Sequence, residues 1–194
     1  MIPDRSFTGL PDGVSISTLM PQRDARGAVI EIYREGWDLG CRAVQFNAVT
    51  SAEGVLRGVH VHVRHVDHLV LLAGRAVVGL HDLRPSSPSV RASCLIELDA
   101  TEPRAVVIPI GVAHGFYFPV PSVLIYGLSH YWEPAEEMGC RWDCKELGLA
   151  WPASAPVLSE RDATAPDYSD CLETFQRSWA ALYGTSAGEA VRER

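Results

Sequence analysis

Most of the chain alternates apolar and polar positions with a period of two. Val14–Leu19 alternates, Ala28–Tyr33 is β-branched and apolar, and Arg42–Val49 alternates again. Val55–Val63, Leu69–Ala73, Arg75–Leu83, Leu95–Leu98, Ala105–Ile110, Ala113–Phe118 and Val123–Tyr131 continue the series. Turn residues separate these segments: Gly27, Gly54, Gly74, the Arg84-Pro85-Ser86-Ser87-Pro88 stretch, Gly111, and Pro119 with Pro121. About ten short strands at roughly even spacing predict a mainly β sandwich or barrel and argue against alternating βα units. Only the end of the chain switches period. From Asp170 onward, Leu172, Phe175, Trp179 and Leu182 follow the spacing of one helix face, and Gly184 offers a stop. The pattern divides the chain into a β domain over residues 1–168 and a C-terminal helix with its tail over 169–194. The polar stretch Thr185–Arg194 is expected to fray.

Composition narrows the classes of function. The 194 residues include 24 acidic and 17 basic side chains, a formal charge of −7. An acidic chain is a poor partner for nucleic acid or for an anionic membrane surface. No apolar run is long enough to span a bilayer, and the first residues lack the apolar core of a signal peptide, so a cytoplasmic location is expected. Cys41, Cys94, Cys140, Cys144 and Cys171 are odd in number. Cys140 and Cys144 have the spacing of a half-site without a second pair, so buried or half-buried free thiols are expected rather than a zinc site or disulfides.

The histidines are the local anomaly: His60, His62, His65 and His68, four of the seven, fall within nine residues. Residues two apart on a strand share a face. His60 and His62 are therefore expected to point the same way, together with Gly58 and Leu56. Imidazoles inside a barrel need partners, so such a pair is not default core filler. The spacing Gly54…His60-x-His62…Asp67…Gly74 resembles the first cupin motif, with Asp in place of the usual Glu. Pro109-x-Gly111-x-x-His114 resembles the second. The resemblance implies a cupin-type jelly-roll β-barrel with a C-terminal helix, in agreement with the strand pattern. In metal-binding cupins the matching positions, here His60, His62, Asp67 and His114, hold an ion, and imidazole with carboxylate suits that use. His65 and His68 match nothing and are expected in a loop or on the outer face.

Nearly the whole span from Asp24 to Asp167 is similar to one cupin branch, the dTDP-4-dehydrorhamnose 3,5-epimerase family. The similarity rests on Asp24-Ala25-Arg26-Gly27 with Glu31, on Gln45-Phe46-Asn47, and on Gly54 to His60. It continues through Asp82-Leu83-Arg84 with Ser87-Pro88, Gly111 to Phe116, Trp151-Pro152, and Leu158 to Asp162 with Ala165-Pro166. The resemblance implies an isomerase that removes protons beside the C4 ketone of a nucleotide-linked 4-keto-6-deoxyhexose and returns them on the other face. That chemistry needs a base, a stabiliser for the enolate and an acid opposite. By resemblance His60 is the base, Asp162 its carboxylate partner and Tyr126 the acid. Arg57 and His114 match substrate-contacting positions, with Gln45, Asn47 and His62 beside them. Arg57, His60 and His114 are expected to form a cationic pocket for the pyrophosphate. Arg26 and Glu31 match nucleotide-contacting positions near a dimer interface, and Trp132 an aromatic that stacks near the base. The resemblance also implies a homodimer, no cofactor, and a place in deoxysugar and polysaccharide biosynthesis.

The match breaks at one place. The resembled enzymes commonly carry a lysine where Asp67 stands, and the loop from His60 to Gly74 is shorter than usual. A carboxylate there repels an enolate unless it is protonated or metal-bound. His62 replaces a residue that is usually not histidine. Two alternatives to the metal-free epimerase therefore stay open: a metal-dependent cupin enzyme using His60, His62, Asp67 and His114, and a non-catalytic sugar-nucleotide-binding cupin. The presence of Asp162 and Tyr126 favours the epimerase, because a metal site has no use for either.

Overall fold

Strands pair where the turn residues allow the chain to reverse. In the computed structural model, which describes residues 2–37 and 42–184, two antiparallel sheets result. The first runs in the order β1 (Ile2–Pro3), β2 (Ser15–Thr18), β10 (Arg104–Ile108), β7 (Asp67–Ala73), β12 (Ser122–Leu128), β5 (Gln45–Ser51). The second runs β13 (Met138–Gly139), β6 (Val55–Val61), β11 (Val112–Phe118), β8 (Arg75–Asp82), β9 (Ser93–Asp99). A small hairpin, β3 (Gln22–Asp24) and β4 (Gly27–Val29), stands apart, and the helices are α1 (Glu160–Ala163) and α2 (Tyr168–Tyr183). From β5 to β13 every connection except the β8–β9 hairpin passes from one sheet to the other, which closes a jelly-roll barrel as expected. Cys41 and the tail from Thr185 lie outside the described residues.

The interior sits between the sheets. Leu69, Leu71, Val106 and Leu124 from the first sheet meet Val78, Leu80, Ile96 and Phe118 from the second, all 3% exposed or less. A second cluster covers the outer face of the five-stranded sheet. There Leu56, Val59, Val61 and Val77 pack under Leu147, Trp151, Cys171 and Phe175 of the C-terminal segment. Gly79 makes this possible: a Cβ on it would lie 2.5 Å from the Trp151 ring. The helix face read from Leu172, Phe175 and Trp179 is the one that docks here. Burial on both faces explains why β8 reads Arg75-Ala-Val-Val-Gly-Leu-His-Asp with only its first residue exposed.

Several expectations change. The Ala28–Tyr33 strand is only the exposed β4; beyond it Ile30, Ile32 and Trp37 pack against Leu19, Val70 and Ala105 without forming a ladder. Helix α2 begins at Tyr168, two residues before the periodic face becomes visible, with Asp167 as its N-cap. The Asp82-Leu83-Arg84 block is a staple: the fully buried Asp82 carboxylate accepts from Arg84 Nη2 at 2.7 Å, Ser87 Oγ at 2.5 Å and Ser89 Oγ at 2.6 Å. Burial alone would raise its pKa, but these hydrogen bonds outweigh it and hold the value at about 2.

Strand β6 departs most. His114 of β11 pairs with His60, and Phe116 pairs with Arg57, so two residues on β11 oppose three on β6. This is a β-bulge. Gly58, at φ +113°, sits in it, and a Cβ there would lie 2.8 Å from Gly115 Cα and 2.9 Å from the His114 carbonyl oxygen. The extra residue reverses the alternation. Leu56, expected on the histidine face, points outward into the cluster with Trp151, whereas Arg57 joins His60 and His62 on the inward face.

Candidate active site

The inward face of β6 opens into a cavity of about 210 Å³ between the two sheets. Arg57, His60, His62 and His114 line it from the five-stranded side. Asp67 and Tyr126 line it from the six-stranded side, and the loop residues His65, Trp132, Glu137 and Arg161 complete the wall.

His60 is held by a residue far along the chain. Its Nε2 lies 2.7 Å from Asp162 Oδ1. Asp162 is 5% exposed and reaches the ring from α1, a single turn capped by Ser159, whose Oγ accepts from the Asp162 N–H at 3.1 Å. The Gly58 N–H in the bulge donates to the other carboxylate oxygen at 3.4 Å. Burial works against ionisation of Asp162, but the contacts with His60 and Gly58 outweigh it and keep its pKa below the ordinary carboxylate value. The result is an oriented imidazole–carboxylate pair with one edge in the cavity.

Tyr126 stands on β12, opposite Asn47 of β5 and Leu69 of β7. Burial, with the Asp67 and Glu137 carboxylates adding to it, raises its pKa, so the phenol keeps its proton at neutral pH. Base and phenol thus reach one cavity from different sheets. Arg57 is held on the wall, with Nε donating to Ser51 Oγ at 3.0 Å and Nη2 to the Thr50 carbonyl at 3.2 Å. Trp132 Nε1 donates to Glu137 Oε1 at 2.7 Å, and its backbone N–H donates to Gln45 Oε1 at 3.1 Å. Gln45 in turn donates to Asn47 Oδ1 at 3.1 Å. Gln45 and Asn47 therefore support the rim without lining the cavity.

Two expected site residues lie away from it. Arg26, at the turn between β3 and β4, is exposed and paired with Asp24. Glu31 is exposed and paired with Arg34. Within the single chain neither reaches the cavity.

Three corrections concern charge and histidines. His114 was expected to add positive charge, but burial depresses its pKa to about 3, so it is neutral. His65 lies in the loop between β6 and β7, one of its two expected places, but is buried there; His68 lies on β7, neither in a loop nor on an exposed face. His65 is 5% exposed, stacks on His62 with ring centroids 3.9 Å apart, and has its pKa lowered to about 4, chiefly by burial. His68 is 1% exposed, with Nε2 2.7 Å from the Ile32 carbonyl oxygen. The positive charge of the cavity comes instead from Arg57 and Arg161. Sequence reasoning gave Arg161 and Glu137 no role. Arg161 Nη2 packs 2.5 and 3.1 Å from the ring nitrogens of His60, and its Nη1 donates to Glu137 Oε2 at 3.0 Å. Its position next to Asp162 was the available signal.

The cupin-like ligand set is reached only in part. His62, Asp67 and His114, all buried, present ligand-type atoms within 4.8 Å of one another. His60 is outside that group.

The family model described as dTDP-4-dehydrorhamnose 3,5-epimerase matches residues 8–170. The dTDP-4-dehydrorhamnose 3,5-epimerase of Neisseria gonorrhoeae is 33% identical over 183 residues, covering 88% of this chain and about half (54%) of that protein. The enzyme of the same name from Pseudomonas aeruginosa is 33% identical over 156 residues, covering 76% and 86%. Among solved structures, the dTDP-6-deoxy-D-glucose-3,5-epimerase of Legionella pneumophila in complex with dTDP-4-keto-L-rhamnose superposes with a TM-score of 0.75 at 28% identity, covering 86% and 90%.

Proposed function

The chain belongs to the dTDP-4-dehydrorhamnose 3,5-epimerase family, and from that premise we propose that it inverts C3, C5 or both in a nucleotide-linked 4-keto-6-deoxyhexose. The observation that carries the reading is the His60–Asp162 pair at 2.7 Å, sharing one cavity with a Tyr126 that comes from the opposite sheet.

The steps follow from that geometry. The ketone at C4 acidifies the hydrogens on its neighbouring carbons. His60 takes one of them, and the imidazolium that forms is stabilised by the ionised Asp162. Negative charge moves to the C4 oxygen, inside a cavity walled by Arg57 and Arg161. Tyr126 returns a proton to the carbon from the other face, which inverts it. A phenol is a weak acid, so it works by position against a basic enolate carbon. Arg57 offers a planar fork for phosphate oxygens. Trp132, 42% exposed at the rim, offers a face for the nucleotide base.

The same reading takes the molecule to be a homodimer, in which Arg26 and Glu31 on the N-terminal arm serve the nucleotide of the neighbouring site. The exposed edge strand β5, with Val44 and Phe46 uncovered, supports this. A cytoplasmic location fits the free thiols of Cys94, Cys140, Cys144 and Cys171. Among the described residues no helix is long and apolar enough to cross a membrane.

The test is solvent exchange. With dTDP-4-keto-6-deoxyglucose in deuterium oxide, NMR is expected to show deuterium entering at C3, C5 or both, and His60→Ala is expected to abolish it. Absence of exchange across dTDP-, GDP- and CDP-linked 4-keto sugars would overturn the assignment.

A further inference from the structure

We propose that Cys140 and Cys171 are a peroxide-sensitive thiol pair, which closes to a reversible disulfide and fastens the end of β13 to helix α2. Three of the five cysteines meet at one place: Cys140 just after β13, Cys144 in the turn that follows, and Cys171 in α2. All three are free and buried, and they share the apolar cluster of Trp151 and Phe175. None of them lines the cavity of the candidate active site.

Backbone contacts bring the thiols together. Cys140 exchanges two hydrogen bonds with Val59 of β6, its N–H donating at 3.0 Å and its carbonyl accepting at 3.3 Å. The Arg141 N–H donates to the Pro166 carbonyl at 2.9 Å, which holds the approach to α2 against this segment. The Cys171 N–H donates to the Asp167 carbonyl at 3.1 Å and closes the first turn of the helix. Cys144 Sγ accepts from the Tyr168 N–H of the same turn. Within this frame the Cys140 S–H donates to the Cys171 sulfur, and Cys140 also contacts Cys144.

A lone buried cysteine behaves as a small apolar side chain and is inert. A sulfur that accepts a hydrogen bond from a second thiol differs in two ways. It gains thiolate character, and its partner is already in place to resolve an oxidised form. Burial works against the Cys171 thiolate, but the bond from Cys140 outweighs it and lowers the pKa, and the positive end of α2 acts in the same direction. The Cys171 thiolate attacks one oxygen of hydrogen peroxide, becomes a sulfenic acid and releases hydroxide. The Cys140 sulfur then attacks the Cys171 sulfur. The S–S bond forms, and the sulfenic hydroxyl leaves as water with the Cys140 proton. The two sulfurs lose two electrons, and the peroxide is reduced to water. Peroxide is close to water in size, which suits thiols that are only 3% and 4% exposed. Disulfides of this transient kind belong to reducing compartments, where they report oxidation. The link also bears on β6, because Gly139 pairs with His60. The pair stands apart from the proposed epimerase reaction and does not rest on it.

The experiment maps the bond. Folded protein is treated with hydrogen peroxide, alkylated without reduction, digested and analysed by mass spectrometry. We expect a peptide cross-linked through Cys140 and Cys171 that disappears after dithiothreitol. Tm is expected to rise by about 5–10 °C on oxidation and to return on reduction, since a native cross-link restricts the unfolded chain. Cys140→Ser and Cys171→Ser are each expected to abolish both effects, and Cys94→Ser to leave both. Circular dichroism reports whether each variant is folded, and the wild-type map decides even if one is not. Cys171 ending as a sulfinic acid without the link would overturn the proposal. So would a link through Cys41, Cys94 or Cys144 in its place, or folded wild-type protein that does not react.

Discussion

At the scale of single residues, the site depends on partners remote in sequence. His60 and Asp162 are 102 positions apart, and the 2.7 Å contact between them joins a strand to a one-turn helix. Asp162→Asn keeps the shape of the side chain but removes its charge, so the imidazolium loses its stabilisation. Exchange is expected to fall by about 10²–10⁴-fold, the range for a positioned acid–base group, with the fold intact. Tyr126→Phe separates the two half-reactions. Proton abstraction is expected to continue while inversion slows, so wash-out of label should outlast formation of epimer in the same NMR time course. Equal loss of both would remove Tyr126 from the acid role. Glu137 is the less visible contributor, touching Trp132, Arg161 and His62 at once.

At the scale of elements, the bulge in β6 decides which side chains reach the substrate. Without the extra residue, Arg57 and His60 would face opposite ways, because three positions on a regular strand change the face. Gly58 sustains the bulge through its positive φ and its close approach to Gly115. Gly58→Ala is expected to cost about 1–3 kcal/mol of stability from backbone strain. It is also expected to lower exchange more than that destabilisation explains, because the Gly58 N–H also orients Asp162. Chemical denaturation and exchange measured on the same preparation check both. A variant as stable and as active as the wild type would show that the bulge is not needed.

At the scale of the whole molecule, the C-terminal segment turns an open sheet into a buried one. His81 ties the two together: its Nδ1 is 2.7 Å from Ser93 Oγ and its Nε2 is 2.9 Å from the Tyr168 hydroxyl at the start of α2. Burial lowers the His81 pKa, although nearby Asp82 opposes this. The folded protein therefore keeps the ring neutral where the unfolded chain, with a pKa of about 6.5, takes up a proton. This stability is fully present above about pH 6.5 and is lost as pH falls below that value, by up to about 1.4 kcal/mol per pH unit. Thermal melts are expected to show falling Tm from pH 7 to pH 5, with a shallower fall in His81→Gln. An identical slope in the variant would remove His81 as a cause. The proposed homodimer belongs to the same scale, and light scattering is expected to give twice the chain mass; a monomer would refute it.

The sequence by itself determined what depends on local pattern. Period-two alternation predicted the strands, glycines and prolines predicted where they end, and helical spacing predicted the face of α2 that docks. The resemblance to the family singled out His60, His114, Tyr126 and Asp162, and the roles proposed for them rest on it. Only the tertiary structure decided facing and partnership. The bulge at Gly58 is one unpaired residue, which alternation cannot register, and it moved Leu56 out and Arg57 in. His68 is buried under the segment around Ile32 and Tyr33, and His65 is buried by stacking on His62 in the cavity wall, because burial is set by what packs against a residue and not by its spacing. The histidine cluster was likewise divided in space: His60 went to Asp162 and Arg161, while His62 went to Asp67 and His114. Contacts between residues far apart in the chain made that division, and no spacing within the cluster encodes them.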